Sequence, residues 1–237
     1  MDSRSSTPES RSNSSEESFL WLASPAVSVA VGQDPRRVFQ VHGAILCTSS
    51  KFFRNVLKPE WTSNREERKP IELTDPEDDP ETFTIYVHWL YYKMLPASVN
   101  SKPSSSQMGR LIDAYLLGEK LMDNAFKNSI IAAIIASFCH SPRSERRFPS
   151  SLDIDILYER TTPSSRLRNL IVDLWVYVAH ASPGWMRDVD NVPREFLVDV
   201  TKAMIKNRPI PSDQRPWELA THEYFEKDDK ELEEEKV

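Results

Sequence analysis

The sequence predicts an α+β fold, with a short β-sheet packed on helical hairpins and followed by an all-helical C-terminal extension. Strand-like alternation is confined to the region before residue 76, whereas nearly every segment after Met108 has helical spacing. The chain has 237 residues and a hydrophobic content of 39%, which suffices for one substantial core. The order of these patterns places the sheet at the front of the chain and the helices behind it.

The strands are predicted from two short stretches. AVSVAVG, residues 26–32, alternates apolar positions, QDPRR supplies turn residues, and RVFQVHG places Phe39 and Val41 on one face. This arrangement predicts a β-hairpin. PIELTD, residues 70–75, predicts a third, short strand.

Helical spacing begins directly after the hairpin. Apolar pairs at helical spacing predict one helix over residues 44–57, which ends before Pro59. The pairs are Ile45 with Leu46, Phe52 with Phe53, and Val56 with Leu57, and one member of each pair should face the core. Phe52 is expected to be more buried than Phe53. The acidic turn DPEDDPE then supplies capping carboxylates and a proline before a helix over residues 81–93.

The C-terminal half consists of further predicted helices. Their segments are GRLIDAYLLGEKLMDNAF, KNSIIAAIIASFCHS, SLDIDILYERTT, RLRNLIVDLWVYVAH and REFLVDVTKAMIKN. Residues 1–18 are Ser-rich with almost no apolar side chain, and residues 223–237 are dominated by acids that repel one another. Both ends are therefore predicted to be disordered.

Composition and charge exclude several classes of function. The formal charge of −6 and the pI near 5.5 provide no broad basic field for a nucleic-acid backbone. Cys47 and Cys139 cannot build a disulfide framework, and the first residues lack a secretory signal. The apolar stretch over residues 130–138 has about half the length that spans a bilayer, so it predicts a buried helix. We expect an intracellular protein, in the cytoplasm or nucleus, that binds proteins and neither nucleic acid nor membrane.

Several separate motifs resemble the BTB/POZ signature. VFQVHGAILCTSSKFFRNVL, residues 38–57, has a strand of the form F-x-V-H followed by a helix with an apolar pair, a small residue and S-x-F-F. Residues 71–95 contain the I-x-L-x-D, D-P-x-x-F and W-L-Y segments. TTPSSRLRNLIVDLW, residues 161–175, is similar to a segment of short fungal BTB proteins. The resemblance implies a BTB/POZ fold over residues 19–139 and a helical extension over residues 140–222.

The resemblance also implies a function. BTB/POZ domains are assembly modules, so we expect an adaptor or scaffold for protein partners, with no catalytic chemistry of its own. The residues expected to contact a partner are Phe52, Phe53, Leu57, Trp61, Tyr86 and Trp89. Aromatic side chains at helical spacing are also typical of a core, so this alternative stays open. Two more specific alternatives are a substrate receptor of a cullin-based ubiquitin ligase and a self-associating module.

Some positions depart from the family pattern. Self-pairing members carry an acid before the first strand and a Lys or Arg after the strand-two histidine, where this chain has Ala26 and Gly43. The charged pocket of a family-type dimer is therefore not expected. Cullin-binding members often have a hydrophobic-x-acid triplet after the first helix, whereas Leu57 and Glu60 are one residue too far apart. Lys93 replaces the glycine that usually follows W-L-Y-x, so a different turn is expected there.

Reactive side chains near the strand-to-helix junction suggest a remote alternative, an enzyme that uses Cys47 and His42. A cysteine nucleophile needs an adjacent base, and no third group can be named for this pair. The resemblance implies instead that His42 hydrogen-bonds locally and that Cys47 and Ser49 pack against the strands. Cys139 and His140 are adjacent and lack the spacing of a tetrahedral metal site. No catalytic, cofactor or metal residue is therefore assigned.

Overall fold

The computed structural model describes residues 24–58, 69–97, 105–140, 148–180, 185 and 189–208. The predicted disordered ends, residues 1–18 and 223–237, lie outside these ranges. The strands are β1 (Ala26–Val31), β2 (Arg37–His42) and β3 (Ile71–Leu73). The helices are α1 (Gly43–Ser49), α2 (Lys51–Val56), α3 (Pro80–Tyr92), α4 (Ser105–Lys120), α5 (Asn124–His140), α6 (Ser151–Arg160), α7 (Arg166–Val178) and α8 (Arg194–Asn207).

The predicted hairpin and third strand are confirmed, and they form a sheet with the order β2-β1-β3. β1 pairs antiparallel with β2, with Ala26 opposite His42, and parallel with β3, with Val29 opposite Ile71. Gly32 follows β1 at φ +79°, and an added Cβ there would lie 2.7 Å from a backbone carbonyl oxygen. Glycine is therefore required at the first residue of the hairpin turn.

The predicted single helix over residues 44–57 is divided at Ser50 into α1 and α2. Ser50 has an extended backbone (φ −96°, ψ 127°). Its Oγ accepts a hydrogen bond from the Phe53 N–H at 3.2 Å and donates to the Leu121 carbonyl at 2.6 Å. Phe53 is wholly buried and Phe52 is only partly buried, so the expectation for this pair is wrong. Ser50 is the N-cap of a new helix, so the spacing of apolar residues in α1 does not continue into α2. Counting across Ser50 therefore gives the wrong side of α2 as the one that faces the core.

α3 begins as its sequence indicates and ends in an unexpected way. Asp79 Oδ2 accepts a hydrogen bond from the Thr82 N–H at 2.8 Å, and Pro80 occupies the first turn. Lys93 adopts the left-handed conformation (φ 54°), and its N–H donates to the Trp89 carbonyl at 2.8 Å. Lys93 thus takes, without being a glycine, the left-handed conformation that glycine usually supplies at the end of a helix. Its Nζ lies 4.3 Å from the centroid of the Trp89 ring.

A single hydrophobic core joins the sheet and α3 to α5 with the extension helices α6 to α8. The apolar stretch of α5 is buried on one face only. Ile130 and Ile134 are wholly buried, whereas Ile135 is 43% exposed, so the expectation of a buried helix is wrong for its outer face. None of the helices in the part of the chain that the structure describes has the length and hydropathy needed to cross a bilayer.

Arg168 of α7, which is 4% exposed, organises the start of the extension. Its guanidinium donates to Thr161 Oγ1 at 2.8 Å and to the carbonyls of Tyr158 and Thr161 at the end of α6. The guanidinium carbon lies 4.1 Å from the centroid of the Tyr158 ring. In the same turn, Ser165 forms a 3.2 Å hydrogen bond with Tyr115 of α4. The TTPSSRLR motif therefore caps α6 and fastens the extension to α4.

Replacement of Arg168 tests this role. Arg168→Met should lower the free energy of unfolding by about 2–3 kcal/mol, because buried carbonyls of α6 lose their charged donor. Arg166→Met, at an exposed position on the same helix, should change it by less than about 0.5 kcal/mol. Urea unfolding followed by circular dichroism measures both values. Equal effects of the two variants would contradict a capping role for Arg168.

Candidate functional site

The residues of α2 and its C-cap form an apolar ridge on the surface. Phe52, Val56 and Leu57 are partly buried and pack against the core with their inner sides. Phe53 lies beneath them, and its ring centroid is 5.2 Å from that of Phe52. The Phe52 N–H donates to the Leu121 carbonyl at 3.3 Å. Phe52, Val56 and Leu57, named here the α2 ridge, therefore present apolar surface on a backbone that is held from behind.

Cations border the α2 ridge. Lys51, Arg54 and Lys58 are exposed, and residues 50–58 contain no Asp or Glu. One guanidinium nitrogen of Arg54 donates to the carbonyls of Cys47 and Thr48 at 2.8 and 3.1 Å, which satisfies the end of α1. The ridge thus has an apolar centre and a positively charged rim in a chain of net negative charge.

The other residues predicted to contact a partner differ in accessibility. Tyr86 is wholly buried, as is Phe53, and Trp89 is 3% exposed. Trp89 Nε1 donates to Ser129 Oγ at 2.9 Å, so its polar atom is also used inside the fold. Trp61 lies outside the described residues. The structure therefore brings Phe52 and Leu57 together at the surface and places Phe53, Tyr86 and Trp89 in the core that supports them.

The carboxylate of Asp123, a residue that the sequence patterns did not single out, lies at the centre of this support. Asp123 is wholly buried and accepts hydrogen bonds from Tyr86 Oη at 3.0 Å, from the Phe126 N–H at 3.0 Å and from Ser49 Oγ. Burial and the charge of Asp123 raise the pKa of Tyr86 far above its usual range. Asp123 is the N-cap of α5, because its carboxylate accepts the Phe126 N–H. An aspartate directly before a predicted helix is the sequence signal that could have identified it.

His42 and Cys47 have separate partners. Tyr91 Oη accepts a hydrogen bond from the His42 N–H at 3.2 Å and lies 2.8 Å from His42 Nδ1. Cys47 Sγ lies 3.8 Å from the Phe53 carbonyl oxygen, and burial raises the pKa of this thiol. These two contacts of His42 join β2 to α3, which is 49 residues away along the chain. Ser49 bonds to the α5 cap rather than packing only on the strands.

A lysine of α4 pairs with two carboxylates of the acidic turn before α3. Lys120 Nζ lies 2.5 Å from Asp75 and 2.6 Å from Asp78, and the hydrogen bond from Lys120 lowers the pKa of Asp75. A cavity of about 230 Å³ opens beside these groups, with Asp113 and Arg160 in its wall. Within the described ranges no three His, Cys, Asp or Glu side chains are grouped so that they could hold a metal ion.

Substitution of Asp123 tests the support beneath the α2 ridge. Asp123→Ala should lower the free energy of unfolding by about 2–4 kcal/mol, because two buried donors and one partly buried donor lose their acceptor. Asp123→Asn keeps a good N-cap and should cost less, about 1–2 kcal/mol. Asp155→Ala, at an exposed position on α6, is the matched control and should change it by less than about 0.5 kcal/mol. A loss below 1 kcal/mol in Asp123→Ala would contradict the role, since it is under the range for an unsatisfied buried group, about 1–3 kcal/mol.

Thiol labelling tests the environment of Cys47, with the exposed Cys139 as an internal control. At pH 7.5 in the folded protein, Cys47 should react with a disulfide reagent about tenfold more slowly than Cys139, since a raised pKa and partial burial both reduce available thiolate. Urea unfolding should equalise the two rates. Faster labelling of Cys47 in the folded state would indicate an activated nucleophile.

Comparison with known proteins supports the architecture. The model of the BTB/POZ domain family matches residues 25–124, which extend from the start of β1 to the N-terminus of α5. No curated protein matches the chain. The matched residues include the three-stranded sheet, the α2 ridge and Asp123 beneath it. The chain therefore contains a BTB/POZ domain, and α6 to α8 form a helical region that follows it.

Proposed function

We propose that the protein is an adaptor or scaffold that binds other proteins through the α2 ridge. The BTB/POZ domain is a protein-interaction module. The observation that carries the proposal is the combination of an apolar, partly exposed ridge with a helix start that Ser50 and Phe52 anchor on the Leu121 carbonyl. A preorganised apolar surface lowers the entropy lost on binding, which favours affinity.

The rim of the ridge indicates the kind of surface that fits it. Lys51, Arg54 and Lys58 carry positive charge around Phe52 and Leu57. A complementary partner has an apolar centre that covers the two side chains and carboxylates at its edge. Rim charges of this kind mainly affect the association rate and its salt dependence, while the apolar centre provides most of the affinity.

The proposed function involves no bond chemistry. The side chains that could act as nucleophile, base or acid have structural partners: His42 bonds to Tyr91, Ser49 to Asp123, and Cys47 lies against a carbonyl. These contacts favour a structural role over a catalytic one, since an activated thiol requires a lowered pKa and burial raises that of Cys47.

A second candidate function is that of substrate receptor in a cullin-based ubiquitin ligase. Leu57 of the α2 ridge begins the loop that the family resemblance connects with cullin binding, where Glu60 is one residue too far away for the usual triplet. The helical region offers a separate surface for a substrate. Self-association is a further candidate. Ala26 and Gly43 carry no charge, so a dimer would depend on apolar contacts alone.

Affinity capture from cell extract with the full chain as bait tests the adaptor proposal. Leu57→Asp should raise the dissociation constant of the captured partner by about tenfold or more, because a charge replaces an apolar contact of the ridge. Leu152→Asp, at a position 65% exposed on α6, is the matched control and should retain the partner. Binding of the purified partner measured by calorimetry then gives both dissociation constants.

The same bait distinguishes the candidate functions. Direct binding of a purified cullin N-terminal region, weakened by Leu57→Asp, would favour the receptor. Partners without a cullin would favour a plain scaffold, and a concentration-dependent mass in sedimentation would favour self-association. A partner retained equally by Leu57→Asp and Leu152→Asp would contradict binding through the α2 ridge.

A further inference from the structure

The end of α8 exposes apolar side chains that the core does not cover. Phe196 and Val200 are buried in the first half of the helix, with exposed fractions of 0% and 8%. In contrast, Met204 is 54% exposed and Ile205 is 70% exposed. Val198, which is 41% exposed, lies seven residues before Ile205 and therefore on the same side of the helix. We name Val198, Met204 and Ile205 the α8 stripe.

Positive charge lies beside Met204 and Ile205, at the C-terminal end of the α8 stripe. Lys202, Lys206 and Arg208 are exposed, and residues 201–208 contain no Asp or Glu. Arg208 has an extended backbone (φ −76°, ψ 123°), which is the conformation favoured before a proline, and Pro209 follows it. The chain therefore leaves the helix beside the α8 stripe.

The residues that follow α8 have the complementary composition. Residues 209–237 contain ten Asp and Glu against four Lys and Arg, a formal charge of −6 that equals the charge of the whole chain. Residues 1–208 consequently carry no net charge. The same segment contains the large apolar side chains Trp217, Tyr224 and Phe225. It thus combines aromatic groups that could cover an apolar stripe with acids that could pair with cations beside it.

We infer that residues 209–237 dock on the α8 stripe of the same chain, with aromatic side chains over Met204 and Ile205 and carboxylates beside Lys202 and Lys206. The apolar area supplies the attraction and the charges set the position. The direct connection at Pro209 raises the effective concentration of the segment at the stripe into the millimolar range, about that of a short flexible tether. This inference is independent of the proposed adaptor function.

Carbodiimide cross-linking of the full chain tests the inference, because this reagent joins a lysine amine directly to a carboxylate. The readout is the yield, by mass spectrometry, of links from Lys202 or Lys206 to acids within residues 226–235. Acids nearer to Pro209 are left out of the readout, since proximity along the chain alone would link them. An equal mixture of ¹⁵N-labelled and unlabelled protein separates links within a chain from links between chains.

The double variant Met204→Asp with Ile205→Asp should lower the link yield about fivefold, because it removes apolar contact and repels the acidic segment. Ile205→Gln, which removes apolar surface without adding charge, should give a smaller fall. Leu152→Asp is the matched control and should leave the yield unchanged. All substituted positions are exposed, and circular dichroism verifies that each variant is folded.

Three results would overturn the inference. Absence of links to residues 226–235 would show that the segment does not reach the α8 stripe. A yield unchanged in the double variant would show that tethering alone brings the groups together. Links between labelled and unlabelled chains would show that a second copy, rather than the same chain, covers the stripe.

Discussion

The arrangement of helices in the BTB/POZ domain depends on the hydrogen bonds that the buried carboxylate of Asp123 accepts. A carboxylate removed from water costs several kcal/mol unless hydrogen bonds replace its hydration. Here Tyr86, Ser49 and the Phe126 N–H supply them from α3, α1 and α5. Because these donors come from three separate helices, the carboxylate is satisfied only when all three helices are in place. The α2 ridge begins at Phe52, three residues after Ser49, so its position follows from that requirement.

The sequence predicted those elements whose signals are local. The hairpin follows from alternation around a turn, and α3 follows from a capping aspartate with a proline in its first turn. The break at Ser50 was not predicted, because apolar side chains recur at helical spacing on both sides of it. Its cause is a distant one: the Ser50 hydroxyl bonds to the Leu121 carbonyl, 71 residues away. Periodicity carries no information about such a contact.

The candidate site shows the same limit. Apolar and aromatic type selected residues of α2 and α3, but it could not separate the surface residues Phe52 and Leu57 from the core residues Tyr86 and Trp89. The difference arises from partners on α5, since Tyr86 bonds to Asp123 and Trp89 to Ser129 at separations of 37 and 40 residues. Contacts of this kind depend on how the helices pack, which the spacing within each helix does not specify.

The continuous core has a geometric consequence. The hydrogen bond between Ser165 and Tyr115 fastens the helical region to α4, and α4 shares one hydrophobic core with the sheet and with α6 to α8. The BTB/POZ domain and the helical region are therefore packed against each other through one core. A protein bound at the α2 ridge and another bound to α6–α8 would therefore be held at a fixed distance and in a fixed relative orientation.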